Sequence, residues 1–239
     1  MLQTSAMLRS GFGEMAERKL SPRDEFDKAL AAHSAAYGAA LGEGERARLG
    51  EYFEMVSAWN GRLHLVAPCP PAEFATRHVL ESLLALPFIG EGAGVVDVGS
   101  GAGLPAIPCL VARPDMRAVL VESSRKKAVF LREALARLGR AESARVVAER
   151  FEKTEPPAAD CLTCRALERF AAVLPHLLAW AARVPTLLLF GGESLRERLA
   201  PAGLPFEAVR VPQSERRFLF VVRRSNQAAS KDSAWGPSD

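Results

Sequence analysis

The hydrophobic positions change their period partway along the chain. Up to about residue 90 they recur at helical spacing. The alanine-rich run from Asp24 to Leu41 carries an apolar stripe of Phe26, Leu30, Tyr37 and Leu41. Over 45–60, Leu49, Tyr52, Phe53, Val56 and Trp59 share one face of an amphipathic helix. Pro68, Pro70 and Pro71 then break the chain, because proline lacks the amide a helix needs. A third helix is predicted over 72–86, with Phe74, Val79, Leu80, Leu83 and Leu84 apolar and Pro87 at its end.

Beyond this point short apolar runs alternate with helical patterns, which is the texture of a parallel sheet. Strands are predicted at 94–98, 118–122, 144–148, 160–163 and 186–190, with helices at 104–112, 125–138, 168–182 and 193–199. Pro105 opens the first of these helices. Ser124 caps the second and Gly139 closes it. The third is expected to kink or restart at Pro175. Two strands at 206–211 and 217–222 end the pattern. The expected organisation is a helical cap at 24–90 and an α/β domain at 91–224, flanked by disordered segments at 1–23 and 225–239.

The length of 239 residues suits one such domain with an extension. A hydrophobic fraction of 49% with 25% charged residues is that of a soluble globular protein. No apolar stretch reaches membrane-spanning length, and Met1–Leu20 lacks the apolar core of a secretory signal. A net charge of +3 permits a nucleic-acid partner without requiring one. Cys161 and Cys164 are spaced like metal ligands, but on a strand positions three apart face opposite sides. With Cys69 and Cys109 they read as free thiols of a cytoplasmic protein, and no metal site is expected.

The candidate chemistry lies where the first strand ends, in Asp97-Val98-Gly99-Ser100-Gly101-Ala102-Gly103. Glycines permit a tight turn and close backbone approach to a ligand, and the following helix start offers unpaired N–H groups. Glu122, 19 positions after Gly103, can accept hydrogen bonds from ribose hydroxyls. Dinucleotide enzymes space their glycines G-x-G-x-x-G around a pyrophosphate. Here the spacing is G-x-G-x-G, and Asp97 would repel a pyrophosphate. A cofactor with a cationic ammonium and sulfonium suits the loop, which favours S-adenosyl-L-methionine over a nicotinamide.

These residues also carry a resemblance. Asp97 to Pro108 resembles the signature of the RsmG (GidB) family, the small-subunit ribosomal RNA guanine-N7 methyltransferases. Trp59-Asn60, Leu63-His64-Leu65 and Arg77-His78 with Glu81-Ser82-Leu83 resemble its N-terminal helices. Ser124-Arg125-Lys126-Lys127, Arg150-Phe151-Glu152, Thr163-Cys164-Arg165-Ala166 and Arg216-Arg217 to Val222 resemble later segments, in the same order.

The resemblance implies a Rossmann-like class I methyltransferase sheet, mostly parallel with an antiparallel last strand, under an N-terminal helical cap. It implies methyl transfer from S-adenosyl-L-methionine to a guanine N7 of 16S ribosomal RNA. It places cofactor contacts on Gly99, Leu104, Phe151, Glu152 and Arg165, beside the loop residues Asp97, Gly101, Gly103 and Glu122. Arg165 is the candidate catalytic residue. Arg77, His78, Arg125, Lys126, Lys127 and Arg217 are candidates for RNA contact, with free ribosomal RNA or an assembling 30S particle as partner of a monomer. For the basic run 125–127, a solvated helix face is an equally good reading.

Two positions depart from the family pattern: Ala106 replaces its usual Gly, and Phe190-Gly191-Gly192 replaces a Lys-Gly. Because guanine N7 carries a free lone pair, its methylation needs no strong base, and orientation can supply on the order of 7–11 kcal/mol. In keeping with this, no Asn/Asp-Pro-Pro-aromatic tetrapeptide follows the fourth strand. The alternatives are a cofactor- or RNA-binding relative with weak or no catalysis, and a methyltransferase for another substrate.

Overall fold

A computed structural model of the chain describes residues 20–165 and 170–224. The tail at 225–239, most of the segment 1–23 and the start of the helix expected from residue 168 lie outside the described residues.

Seven strands form one sheet in the order β3-β2-β1-β4-β5-β7-β6. They are β1 (Gly94–Val98), β2 (Arg117–Val121), β3 (Ala144–Val147), β4 (Cys161–Arg165), β5 (Thr186–Gly191), β6 (Phe206–Arg210) and β7 (Phe218–Arg223). β1 to β5 pair in parallel, and β7 runs antiparallel to both β5 and β6. The expected sheet, mostly parallel with an antiparallel last strand, is the observed one. The chain winds outward from β1 through β2 to β3, then returns to β4 on the other side of β1. That reversal opens a crevice at the carboxyl ends of β1 and β4, where α/β sheets bind ligands.

Strand alternation sorts the core into two layers. Val95, Ala118, Leu120, Cys161, Leu188 and Phe190 face a cluster shared with the N-terminal helices, α5 (Ala106–Ala112) and α6 (Arg125–Arg137). Val96, Val98, Val119, Leu162, Cys164 and Leu187 face the opposite cluster, which Leu174 and Leu177 of α7 (Phe170–Trp180) and Leu195 of α8 (Glu193–Leu199) complete. Cys161 and Cys164 therefore bury on opposite faces. Among the described residues no three His, Cys, Asp or Glu are grouped to hold a metal ion, and no helix is long and apolar enough to cross a membrane.

The N-terminal helices close over one face. α1 (Pro22–His33) begins just inside the segment expected to be disordered, because Ser21 and Asp24 form a reciprocal capping box. It stops earlier than the expected Leu41: a 3-10 turn follows at Ser34–Tyr37 and ends on Gly38 at φ 67°. α2 (Glu43–Leu63) runs past its expected end, and Asn60 holds the chain beyond it with two hydrogen bonds to the Val66 backbone at 3.0 and 3.1 Å. Phe26 stacks on Phe53 with ring centroids 4.8 Å apart, and Phe74 packs against both. Such pairs add about 0.5–1.5 kcal/mol each beyond the area they bury.

The third expected helix is α3 (Pro71–Glu73), a π-helical stretch (Phe74–Leu80) and α4 (Glu81–Leu83) in succession. α5 tolerates Pro108 because it falls in the first turn, where an N–H has no helical partner. α7 continues through Pro175 without a break.

Candidate functional site

β1 delivers Asp97 to the crevice fully buried. Its partner in register on β4 is Thr163, whose hydroxyl donates to Asp97 Oδ1 at 2.7 Å. The second carboxylate oxygen, Oδ2, is buried with no hydrogen-bond partner. Burial pushes the Asp97 carboxyl up to about 7, with Ser100 and Thr163 pulling the other way and Glu122 adding to the rise. A buried, unmatched acceptor of this kind is costly unless a donor or cation completes it.

The loop that follows is held from three sides. Ser100 Oγ donates to the Asp97 backbone carbonyl at 3.0 Å, Gly101 N–H donates to Glu122 Oε2 at 2.8 Å, and Tyr52 of α2 donates its hydroxyl to Ala102 O at 2.8 Å. Glu122, one residue past β2, also accepts from Ser124 N–H at 2.7 Å. One carboxylate thus fastens the glycine loop to the start of α6.

The glycines differ in role. Gly101, at φ 57°, faces open space: a Cβ there would meet only the Gly99 carbonyl, at 3.8 Å. Gly103, at φ 90°, faces Ile107, whose Cδ1 would lie 2.4 Å from a Cβ. Gly101 leaves room for a ligand, whereas Gly103 lets α5 pack. Leu104 and Glu122, which flank this cradle, are buried, whereas Phe151, after β3, is buried in the opposite core layer and Glu152 is exposed. Phe151 packs edge-on against Trp180 with centroids 5.6 Å apart, and Trp180 Nε1 donates to Thr154 O at 2.7 Å. Tyr52, which reaches the loop, is not among the site residues that the sequence predicts. Tyr52 is read from the sequence as core, and nothing in a helical stripe marks one phenol as reaching a distant loop.

Arg165 is the last residue of β4 rather than a loop residue after it. Its guanidinium turns under the cap. It donates to Arg77 O at 2.7 Å and to His78 O and Ser82 Oγ at 3.4 Å, and pairs with Glu81 Oε1 at 3.3 Å. The Phe190 ring, its register partner on β5, lies 5.7 Å from the guanidinium carbon. Arg217 pairs with the other Glu81 oxygen. Burial pushes the Arg165 guanidinium below its ordinary range, and Glu81 opposes the shift.

Among the other RNA candidates, Arg77 pairs with Glu73 at 2.7 Å, and Arg125 and Lys126 are exposed with Lys127 half-buried. His78 is half-buried beside Phe74. Burial, then Arg165, Arg77 and Arg217, push its imidazole down to about 3, so it is neutral at physiological pH.

A parallel sheet with an antiparallel last strand, and a glycine loop at its switch point beside an acid past β2, is the architecture of a Rossmann-like methyltransferase. The mitomycin 7-O-methyltransferase MmcR shares the fold at a TM-score of 0.54 and 17% identity, over 85% of this chain and 69% of that one. A protein of the NADB-Rossmann superfamily from Streptococcus agalactiae matches at 0.50 and 17% identity, over 63% and 70%.

The sequence is more particular. The family model of rRNA small subunit methyltransferase G (GidB) matches residues 45–202, and this chain belongs to that family. A ribosomal RNA small subunit methyltransferase G of Xanthomonas axonopodis is 41% identical, over 72% of this chain and 84% of its own length. Namesakes from Sorangium cellulosum and Nitrosomonas eutropha are 36% and 43% identical, over 77% and 54% of this chain and 77% and 62% of their own lengths.

Proposed function

We propose that this chain transfers a methyl group from S-adenosyl-L-methionine to N7 of a guanine in 16S ribosomal RNA. One observation carries the reading: the family match spans residues 45–202, which take in α2, the π-helical stretch, the glycine loop and β4. The site also fits the cofactor. Asp97 Oδ2 is a buried acceptor awaiting a cation, Gly101 leaves open space over the loop, and Glu122 stands where ribose hydroxyls are read.

When bound, the cofactor supplies an electrophilic methyl group. The protein's own part is to bind and orient. Asp97 would balance the cationic end, with one of its oxygens held by Thr163. Glu122 and the Gly101 backbone would hold the ribose side. Leu104 and Phe151 would exclude water from the adenine side. N7 needs no proton removed, and no general base is assigned. Alignment of two ligands in one crevice is the source of rate.

The cations proposed for the substrate side are Arg77 of the cap and Arg125, Lys126 and Lys127 at the start of α6, which would meet phosphates. We infer a cap at 24–90 and a catalytic domain at 91–224 acting together as a cytoplasmic monomer on ribosomal RNA or a 30S particle. The test is methyl transfer from labelled S-adenosylmethionine to small-subunit RNA of a strain lacking the modification, followed by nucleoside mass spectrometry. Labelled 7-methylguanosine is expected. Label in another nucleoside, or none, overturns the reading.

A further inference from the structure

Glu81 opens α4 where the π-helical stretch ends, and its side chain is only 5% exposed. Its two oxygens serve two separate parts of the fold. Oε1 meets Arg165 at the end of β4, and Oε2 meets Arg217, one residue before β7. Two guanidiniums on one buried carboxylate leave the cluster positive. Without Glu81, like charge and solvation would draw both long side chains outward.

The π register matters to this arrangement. In an α-helix the Glu81 N–H would bind Arg77 O, four residues back. Here it binds Thr76 O, and Arg77 O accepts from Arg165 instead. The guanidinium, the carboxylate and the widened turn therefore lock one another. Ser82, whose hydroxyl donates to His78 O at 2.5 Å, closes the group. Arg165 is also two residues beyond Thr163 on the same face of β4, so the cluster and the support of Asp97 share one strand.

We propose that Glu81 is a positioning residue for methyl transfer: by holding Arg165 and Arg217 on one carboxylate, it fixes the π-helical stretch of the cap, with Arg77 and His78, over the carboxyl end of β4. This rests on the reading of the crevice as a methyl-transfer site. Cofactor binding at the loop does not depend on Glu81, whereas productive placement of the RNA does.

The test compares wild type with Glu81→Gln and Glu81→Asp by calorimetry with S-adenosylmethionine, steady-state transfer to small-subunit RNA, thermal melting, and amide hydrogen exchange over residues 74–83. For Glu81→Gln the expected result is cofactor affinity within about threefold of wild type, kcat lowered at least tenfold with a smaller change in the RNA KM, and faster exchange over 74–83 than over α6. Glu81→Asp, a methylene shorter but still charged, is expected to recover part of kcat. Unchanged kcat and exchange in Glu81→Gln overturn the proposal, as does a loss of cofactor affinity equal to the loss of kcat.

If Glu81→Gln does not fold, Glu81→Asp decides alone, and wild-type kcat and exchange there overturn the proposal. If wild-type protein itself leaves small-subunit RNA unmethylated, the functional reading fails. Exchange over 74–83 then still decides whether Glu81 fixes the cap, and wild-type exchange in Glu81→Gln overturns that as well.

Discussion

The two sides of the crevice are built on opposite electrostatic plans. On the loop side the charge is negative and incompletely matched. Asp97 is buried with one oxygen free, and Glu122 accepts from two backbone amides. On the cap side the charge is positive and largely matched within the fold. Arg165 has partners for both of its terminal nitrogens, Arg217 leans on Glu81, and Arg77 leans on Glu73. An unmatched buried group marks where a ligand completes the protein, and a matched one marks where the protein has completed itself. A cationic cofactor suits the first side and an anionic polynucleotide the second. Asp97 and Arg165 both stand near the carboxyl ends of neighbouring strands, yet one keeps a buried oxygen without a partner and the other is engaged under the cap.

The strongest way to break this contrast is at Gly101. Its φ of 57° disfavours any side chain, and the space above it is open. Gly101→Val is expected to lower cofactor affinity more than a hundredfold by calorimetry, with the circular dichroism of the fold kept. Wild-type affinity would place the cofactor elsewhere.

Asp97→Asn comes next. Its folded carboxyl pKa, about 7, lies above the ordinary aspartate value of 3.8. The folded state therefore keeps a proton that the unfolded chain has lost, and stability falls as pH rises from about 4 to about 7, then levels off. The fall amounts to up to about 4 kcal/mol. An asparagine in its place carries no such penalty, so the variant is expected to melt higher than wild type at pH 8 while binding the cofactor at least tenfold more weakly. In wild type, ionisation of Asp97 should raise cofactor affinity about tenfold between pH 6 and pH 8. A flat affinity profile would mean that Asp97 does not meet the cofactor's cationic end.

Phe190→Lys tests the matched side. The family's usual cation would stand at the position of a ring now 5.7 Å from the Arg165 guanidinium and only 5% exposed. At an effective dielectric of about 20, two like charges at that range cost on the order of 3 kcal/mol. We expect Phe190→Lys to lower the melting temperature by roughly 5–10 °C. A melting point unchanged or raised would show that the cluster tolerates a further cation.

How legible these features are in the sequence depends on how local their causes are. The parallel sheet follows from strands alternating with helices, and the loop follows from glycines next to one strand. Gly101 and Gly103 look alike in the sequence, because what separates them is Ile107 standing over one and not the other. Thr163 carried a signal, a polar residue within an apolar strand, but its pairing with Asp97 depends on the register of two strands 66 positions apart. The engagement of Arg165 was out of reach for a further reason: it requires a π turn that frees a particular carbonyl, and helical periodicity does not report that turn. The ends of α1 and α2 moved for local reasons, a capping box at Ser21 and the Asn60 clasp on Val66, whose sequences are common elsewhere.

The smallest predicted effect concerns the cations that the fold leaves exposed. Arg125 and Lys126 lie in the first turn of α6, which contains no acidic residue. A helix N-terminus is the positive end of its dipole, so cations there cost about 0.3–1 kcal/mol each. Glu122, bound to Ser124 N–H, offsets part of that cost. A solvated helix face has no reason to keep the wrong sign of charge at this end, whereas a phosphate-binding one does. Arg125→Gln with Lys126→Gln is therefore expected to raise the melting temperature slightly and the RNA KM severalfold, with cofactor affinity unchanged. It should also flatten the salt dependence of RNA binding by a slope of about 2, one for each phosphate no longer neutralised. An unchanged slope would return these residues to the solvated face and leave the substrate side to Arg77 and the cap.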